Sequence, residues 1–200
     1  MFSLLVRPRA SIEDPSSLSL VAGLALVEGL ALAGGPVAHL KWPNDCLCGE
    51  RKLAGVLAES RTEAGGERVV VLGLGCNVTW AGLELPAELS RTVTACDLEG
   101  HPVTRSALAE AVLGRLATRY LEWSEGGFAA LRREWLSHAA WLGEDVLAEH
   151  ASGRVRGRAV GLSEQGELLI ETSAGRLAIS AGDVERDSRP RLRLARAEAE

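Results

Sequence analysis

The sequence predicts a mixed α+β domain followed by a small β-barrel, within 200 residues. Three observations predict this fold class. An apolar helical stretch near the start leads into short strand patterns, two helical stretches follow, and after Gly143 the pattern changes to short alternating strands separated by glycines. A hydrophobic content of 46% is ample for a packed core. We therefore divide the chain into a main domain (1–141), a barrel (142–188) and a mobile tail (189–200).

The first elements are a strand and an apolar helix. Residues 2–6 have the composition of a strand end. Asp14 and Pro15 predict a helix entry, with Asp14 as N-cap and Pro15 as the first helical residue. The helix is then expected to extend to Gly34 and Gly35, where glycine ends it.

Three strand candidates follow the helix, at 37–41, 51–60 and 68–74. They are separated by turn residues at 43–45 and 65–66. Short strands joined by tight turns predict an antiparallel meander.

Two helices are predicted next, over 104–123 and 128–141, because apolar residues recur there at helical spacing. We interpret Trp135 and Trp141 as core residues and not as cofactor contacts. Four barrel strands are expected at 146–150, 154–162, 167–171 and 176–179.

Composition and charge exclude several functions. A net charge of −5 argues against nucleic-acid binding, and the basic cluster at 154–158 is expected to be a solvated strand face. Glu28 interrupts the longest apolar stretch, 18–35, so neither membrane spanning nor secretion is predicted. The four cysteines lack metal-site spacing and are expected to be reduced thiols of a cytoplasmic protein, with no protein-bound metal.

The lysines and asparagines are concentrated in one short stretch. Among 22 basic residues only Lys41 and Lys52 are lysines, and Asn44 and Asn77 are the only asparagines. A compact ammonium differs physically from the planar guanidinium group used elsewhere in the chain. The concentration indicates a site, although chance placement would also produce it.

The motif K-W-P-N-D (41–45) places an ammonium, an indole, an amide and a carboxylate at the mouth of a strand. Such a cluster can hold a charged ligand. It can equally be an ordinary polar turn closed by Asn44 or Asp45, with Trp42 covering the edge of the core. Spacing alone leaves both interpretations open.

Two further motifs carry glycines beside polar residues. In R-K-L-A-G-V-L (51–57), Lys52 begins an apolar strand and suits an anionic carboxylate or phosphate, and Gly55 permits a ligand to approach the backbone. In V-V-V-L-G-L-G-C-N-V (69–78), Gly73 and Gly75 permit the same approach. A dinucleotide fingerprint is excluded because Val78 occupies the third glycine position and no helix directly follows.

In this order and spacing, the three motifs resemble the catalytic domain of biotin protein ligases, and the resemblance covers nearly all of the chain. It implies a mixed sheet with helices of the biotin/lipoyl protein ligase (class II synthetase-like) type and an SH3-like C-terminal barrel. It also implies an ATP-dependent, AMP-forming ligase. Biotin and ATP give biotinyl-adenylate, and a lysine of a biotin carrier protein of a biotin-dependent carboxylase then attacks it.

The resemblance also implies residue roles. Lys52 contacts the biotin carboxylate and the reacting phosphate and is the first catalytic candidate, and Asp45 helps the incoming lysine lose its proton. Asn77 lies near the nucleotide and its Mg²⁺. The remaining positions are expected to bind ATP or biotin: Lys41, Trp42, Asn44, Gly55, Gly73 and Gly75.

Two alternatives stay open. Biotin ligases carry a G-R-G-R-x-G-R loop and a Ser/Thr-Asn segment before the strand that here begins at Phe2, and this chain contains neither. An N-terminally truncated, inactive fragment or a non-catalytic protein that binds biotin or a carrier is therefore one alternative. A lipoate ligase is the other. No DNA-binding role is predicted, and a homodimer is left open.

Overall fold

Two antiparallel sheets and two long helices make up the computed structural model, which describes residues 1–9, 15–82, 84, 86–151 and 153–187. The helices are α1 (Leu18–Leu32) and α2 (Arg105–Ser137), and a single 3-10 turn spans Leu89–Arg91. The strands in chain order are β1 (Phe2–Val6), β2 (His39–Lys41), β3 (Asp45–Cys48), β4 (Arg51–Thr62), β5 (Arg68–Cys76), β6 (Asp145–His150), β7 (Gly153–Leu162), β8 (Leu168–Thr172), β9 (Gly175–Ile179) and β10 (Asp183–Arg186).

The first sheet has the strand order β1-β5-β4-β3-β2, and all its neighbouring strands are antiparallel. The predicted meander is therefore confirmed, with its three strands appearing as β2, β4 and β5. The strand β3 was not predicted. Asp45, expected in a turn, is the first residue of β3 and pairs with Gly55, because the buried side chains of Cys46 and Leu47 continue the sheet beyond the turn.

Helix α1 packs against the inner face of this sheet and against α2. Its start was predicted wrongly, since Pro15 lies in a turn ahead of the helix and Leu18 is the first helical residue. The Leu18 N–H donates to the Pro15 carbonyl at 2.9 Å, and Ser17 is the N-cap. Asp14, the predicted cap, lies outside the described residues.

Helix α2 joins the two later helices that were predicted separately. The break between them falls at Gly127, which has φ 63° and ψ −167°, a conformation that glycine adopts without a steric penalty. The helix ends at Ser137, not at Trp141, because residues 138–140 turn to hydrogen-bond with Leu40 of β2. Trp135 is buried and Trp141 packs against the core, as predicted.

The second sheet has the strand order β10-β6-β7-β8-β9. The four predicted strands correspond to β6–β9, and β10 is an additional strand that pairs with β6. The side chains of Arg154 and Arg156 are exposed on β7 and pair with Glu149 and Asp187, which fits the predicted solvated face. The SH3-like closure of this sheet stays a prediction, and the predicted tail lies outside the described residues.

Within the part of the chain that the structure describes, neither α1 nor α2 combines the length and apolar composition that a membrane crossing requires.

Candidate active site

A cleft of about 760 Å³ opens on the outward face of the first sheet, where β1, β3, β4 and β5 come together. Its volume falls within the range of roughly 300–1,000 Å³ that small-molecule sites occupy. The lining residues are Met1, Ser3, Asn44, Asp45, Lys52, Ala54, Gly55, Val56, Leu57, Gly73, Gly75, Cys76, Asn77, Trp80, Leu89 and Val93. Seven of the nine predicted site residues are among them.

Lys52 and Asp45 form an ion pair on the floor of this cleft. The Lys52 Nζ atom lies 2.5 Å from Asp45 Oδ1, and 47% of the lysine side chain is exposed against 15% of the aspartate side chain. The ammonium therefore faces the open cleft while the carboxylate holds it from below. A fixed, solvent-facing cation of this kind can bind an anionic ligand group.

A β-bulge gives Lys52 this direction. The β3–β4 register pairs Cys46 with Ala54 and then Leu47 with Lys52, which leaves Leu53 as an extra residue. Leu53 and Ala54 are both buried although they are consecutive, so the alternation of faces is interrupted there. The bulge turns Lys52 onto the outward face, which it shares with Gly55 and Leu57.

The two asparagines are held in place by main-chain contacts. The Asn44 amide donates to the Val56 carbonyl at 3.0 Å, and the Asn44 carbonyl accepts from the Val56 N–H at 2.8 Å. The Asn77 amide donates to the Thr94 carbonyl at 2.9 Å. Each amide group therefore lines the cleft in a fixed orientation. The turn interpretation and the ligand interpretation of K-W-P-N-D are compatible at Asn44, which closes the turn and borders the cleft.

The three predicted glycines face the cleft in different surroundings. A Cβ on Gly55 would lie 3.2 Å from both Asp45 Oδ1 and Lys52 Cε, so the ion pair itself occupies that space. A Cβ on Gly73 or Gly75 would meet its nearest neighbours only at 3.8–3.9 Å. The wall formed by Gly73 and Gly75 is therefore open backbone surface against which a ligand can lie.

Lys41 and Trp42 do not line this cleft. The Lys41 Nζ atom pairs with Asp183 of β10 at 3.0 Å and lies 5.7 Å from the ring centre of Trp141. Trp42 is buried, and its indole N–H donates to the Gly166 carbonyl at 3.0 Å. The polar groups of both residues therefore connect the first sheet to the second, and Trp42 covers the core as the turn interpretation expected.

An apolar wall beside the polar floor was not predicted. It consists of Trp80, Leu89 and Val93. Val93 lies directly beside Lys52, because the Lys52 N–H donates to the Thr92 carbonyl at 2.8 Å and the Lys52 carbonyl accepts from the Thr94 N–H at 2.9 Å. Of these three residues, only Trp80 could have been found from the sequence, because it is an isolated aromatic residue that follows the glycine-rich strand β5.

The Asp97 carboxylate fixes the loop that carries Trp80. It accepts hydrogen bonds from the Thr79 hydroxyl at 2.7 Å and from the Trp80 N–H at 3.0 Å. The hydrogen bond from Thr79, and then those from backbone N–H groups, hold the pKa of Asp97 below its ordinary value. The position of Trp80 at the cleft is therefore set by its backbone.

The cleft contains few candidate metal ligands. Among the described residues, no three His, Cys, Asp or Glu side chains lie close enough together to hold a metal ion. Among the lining residues that the structure describes, side-chain oxygens come from Ser3, Asp45 and the two asparagine amides, so any cation bound here would need further oxygen ligands from its own ligand or from water.

Two family models match the chain. The model described as the biotin/lipoate A/B protein ligase family matches residues 1–77, and the model described as the biotin protein ligase C terminal domain matches residues 142–187. The second match includes all five strands of the second sheet. Both ends of the chain are therefore similar to parts of one kind of enzyme.

Curated relatives extend the similarity over most of the chain. The biotin–[acetyl-CoA-carboxylase] ligase of Paracoccus denitrificans is 36% identical over 190 residues, covering 91% of this chain and 78% of that protein. The bifunctional ligase/repressor BirA of Bacillus subtilis is 32% identical over 184 residues, covering 92% of this chain. This chain spans 57% of the length of that bifunctional relative.

Solved structures show the same architecture. The apo structure of the biotin protein ligase from Aquifex aeolicus superposes with a TM-score of 0.80 at 31% identity, covering 92% of this chain and 81% of that chain. The same protein in complex with biotin and ATP superposes with a TM-score of 0.79 and covers 77% of that chain. A mixed α+β fold was predicted from the sequence, and these similarities confirm it.

Proposed function

The chain belongs to the biotin protein ligase family, and from this premise we propose that its cleft joins biotin to AMP and transfers the biotinyl group to a carrier lysine. The observation that carries the proposal is the half-exposed Lys52 ammonium, held by Asp45 beside an open glycine wall. A cation next to bare backbone suits a ligand that combines an anionic centre with a flat or extended body. Biotin and ATP are the ligands bound by the similar Aquifex protein.

In the first step, a carboxylate oxygen of biotin attacks the α-phosphorus of ATP, and pyrophosphate leaves. Negative charge builds on the phosphoryl oxygens during this attack. Lys52 stabilises that charge, and Asp45 keeps the ammonium in position. The amide groups of Asn44 and Asn77 orient the nucleotide at the edge of the floor, and the backbone at Gly73 and Gly75 contacts biotin.

In the second step, the amine of the carrier lysine attacks the carbonyl carbon of the mixed anhydride, and AMP leaves. The attacking amine must lose a proton. Asp45 is the carboxylate on the cleft floor and accepts that proton in our proposal. The carrier is a biotin carrier domain, in keeping with the name of the Paracoccus relative, which refers to acetyl-CoA carboxylase.

We include Mg²⁺ as an ion that enters with the ATP phosphates. Mg²⁺ takes oxygen ligands and is commonly held through one or two protein groups together with substrate phosphates. The side-chain oxygens of Asn77 and Asp45 fit this limited role, because both residues border the cleft. When bound, the ion would neutralise part of the phosphate charge.

Lys41 and Trp42 take a supporting role in this proposal. Their contacts with Asp183 and Gly166 hold the 41–45 turn against the second sheet. That turn ends at Asn44 and Asp45, so its anchoring supports the geometry of the cleft floor. Direct phosphate contact by Lys41 would require the ammonium to leave Asp183.

The test is adenylate synthesis by the purified chain. ATP labelled at the α-phosphate, Mg²⁺ and biotin are incubated with the wild type and with Lys52→Ala, and labelled biotinyl-adenylate is quantified. We expect product with the wild type and a loss of about 100-fold or more with the variant. Equal product from both proteins would overturn the assignment of Lys52.

Two control arms separate the alternatives. Lipoate replaces biotin in a parallel reaction. More labelled adenylate with lipoate than with biotin would support a lipoate ligase. The match of residues 142–187 to a biotin ligase C-terminal domain favours biotin. If calorimetry shows that the chain binds biotin, but the assay detects no biotinyl-adenylate, the result would support a non-catalytic binding protein.

A further inference from the structure

A loop segment, and not a strand, completes the sheet beside Lys52. The β4–β5 register begins at Ala54, two residues after Lys52. On that side of β4, residues 92–94 take the place of β5. The Lys52 N–H donates to the Thr92 carbonyl at 2.8 Å, and the Lys52 carbonyl accepts from the Thr94 N–H at 2.9 Å. The backbone of the first catalytic candidate is therefore fixed by a segment outside the regular sheet.

Thr94 connects this segment to a second residue of the cleft. Its carbonyl accepts a hydrogen bond from the Asn77 side-chain amide at 2.9 Å, while its N–H serves Lys52. Thr94 is also fully buried, so the surrounding side chains restrict its position. A shift of Thr94 would therefore displace both Lys52 and Asn77, the two groups that act on the phosphates in the proposed function.

One oxygen of Glu99 holds Thr94 in place. The Thr94 hydroxyl donates to Glu99 Oε1 at 2.5 Å, and the Arg51 guanidinium donates to the same oxygen at 2.6 Å. Only 19% of the Glu99 side chain is exposed, so both contacts are largely shielded from water. Hydrogen bonds to a carboxylate are roughly twice as strong as those between neutral groups. Because Arg51 directly precedes Lys52, this oxygen ties the start of β4 to residues 92–94.

We propose that Glu99 is a positioning residue for adenylate synthesis, which acts on Lys52 and Asn77 through its contacts with Thr94 and Arg51. Glu99 lies outside the set of residues that line the cleft, so it has no assigned contact with biotin or ATP. Its carboxylate joins the two segments whose relative position sets the Lys52 ammonium and the Asn77 amide. Displacements of about 1 Å at a reacting site can cost on the order of 100-fold in rate, so this alignment matters for catalysis.

This role separates the rate of reaction from the binding of biotin. In the proposed function, biotin lies against the wall formed by Gly73 and Gly75, which the pairing of β5 with β1 and β4 holds in place. Loss of the Glu99 contacts leaves that pairing intact. It therefore slows the reaction of bound biotin and ATP and leaves the affinity for biotin unchanged. The effect on rate rests on the proposed function, whereas the effect on the Asn77 amide does not.

The first test is independent of catalysis and uses NMR of the ¹⁵N-labelled chain. The side-chain amides of the sequence belong to Asn44, Asn77 and Gln165, so three pairs of signals represent all of them. In Thr94→Val and in Glu99→Ala, we expect the Asn77 amide to exchange with solvent about fivefold faster or more, since its acceptor is no longer held. The amides of Asn44 and Gln165 are internal references and should not change. Unchanged exchange at Asn77 in both variants would overturn the proposal.

The second test is the single-turnover rate of adenylate synthesis at saturating biotin and ATP. We expect the rate constant to fall about tenfold in Thr94→Val and in Glu99→Ala, with the biotin affinity from calorimetry unchanged. Thr94→Ser keeps the hydroxyl and should retain the wild-type rate. Glu149→Ala is the matched control, because it removes a carboxylate that accepts from Arg154 at 3.0 Å on the second sheet, and it should also react normally.

A merely structural role for Glu99 would give a different result. The unfolding midpoint and the fraction of reacting molecules would fall, but the rate constant of the molecules that react would stay normal, and that outcome would overturn the proposal. A loss of biotin affinity in parallel with the rate would do the same. If Glu99→Ala does not fold, Thr94→Val carries both tests, because valine matches the shape of threonine without its hydroxyl. A wild type that makes no adenylate would refute the ligase proposal, and exchange at Asn77 would still decide the role of Glu99.

Discussion

The ammonium of Lys52 lies 2.5 Å from the carboxylate of Asp45, although the two residues are on different strands and only one of them is substantially exposed. The pair depends on the bulge at Leu53, which turns Lys52 out of the regular alternation of β4. Because the pair lies on the cleft floor, substitutions at Lys52 and Asp45 should change the reaction, as the first two predictions state.

Replacing Lys52 by arginine should not preserve adenylate synthesis. The guanidinium is larger and planar, and the space beside Gly55 is already occupied by the lysine chain and Asp45. We expect Lys52→Arg and Lys52→Ala each to lower the rate by about 100-fold or more without changing the unfolding midpoint. Near-normal rates in Lys52→Arg would mean that any positive charge suffices.

Replacing Asp45 by asparagine should separate the two steps. If the carboxylate accepts the proton of the carrier lysine, transfer from preformed biotinyl-adenylate should slow by about 100-fold. The loss should diminish as the pH is raised, because more of the carrier amine is then already deprotonated. Single-turnover transfer with added adenylate measures this directly. A pure loss of adenylate synthesis with normal transfer would assign Asp45 only the role of holding Lys52.

The cleft glycines should divide into two classes. Gly73→Ala and Gly75→Ala add a methyl group that meets nothing closer than 3.8 Å, so the protein should remain as stable as the wild type. Biotin binding should nevertheless weaken by about tenfold or more, since the methyl group occupies ligand space. Calorimetry with biotin and thermal unfolding of the same samples measure both effects.

Gly114→Ala on α2 is the matched control for those two variants, since its added Cβ meets no atom within 4 Å beyond the neighbouring backbone of its own helix. It should bind biotin normally. Gly55→Ala should differ from all three, because it displaces the Lys52–Asp45 pair even in the absence of a ligand. Normal biotin affinity in both Gly73→Ala and Gly75→Ala would remove biotin from this wall.

The two helices are joined by a charge network whose effect on stability should depend on pH. Glu28 of α1 pairs with Arg115 and Arg119 of α2. Burial alone would raise the pKa of Glu28, but the hydrogen bonds from the two arginines outweigh it, and the pKa lies below its ordinary value of 4.5. Glu28→Gln should therefore lower the free energy of unfolding by about 2 kcal/mol at pH 7.

The sign of the pH dependence follows from the lowered pKa. A carboxyl group with a depressed folded-state pKa stabilises the fold above its unfolded pKa and loses that effect as the pH falls through the folded value. The difference between wild type and Glu28→Gln should be constant above about pH 5 and shrink below pH 4.5. Urea unfolding between pH 3 and pH 8 measures it. A difference that stays constant down to pH 3 would contradict the role of the charged pair.

The contact of Lys41 with Asp183 should couple the two sheets. Lys41→Met and Asp183→Asn should each destabilise the chain slightly, by up to about 1 kcal/mol, because Asp183 is largely exposed. If the side chains act as a pair, the free energy of unfolding of the double variant should be no lower than that of the less stable single variant. Strictly additive losses in this double-mutant cycle would show that the two residues act independently.

Most of the strands and both helical regions could be predicted because alternation and helical spacing are local patterns, whereas β3 and β10 could not. The orientation of Lys52 could not. Ala54 and Val56 are buried, and regular alternation would send Lys52 toward the core with them. The bulge that prevents this depends on the pairing of β3 with β4, which no local pattern encodes.

The separation of Lys41 from the cleft was unpredictable for a similar reason. Its partner Asp183 lies 142 positions along the chain in β10, a strand that was itself not predicted. The apolar wall is also built by tertiary contacts, since Val93 reaches Lys52 through a short parallel bridge. Motif spacing identified the floor and the glycine wall, because those residues occupy adjacent strands of one local meander.

The most direct test of the central claim is biotinylation of a carrier domain by the 200-residue chain. The chain, ATP, Mg²⁺, biotin and a purified biotin carrier domain are incubated, and mass spectrometry locates biotin on the carrier. We predict attachment to a single carrier lysine, lost in Lys52→Ala and in the absence of ATP. Attachment that persists in Lys52→Ala, or a carrier left unmodified by a chain that folds and binds both ligands, would contradict the account.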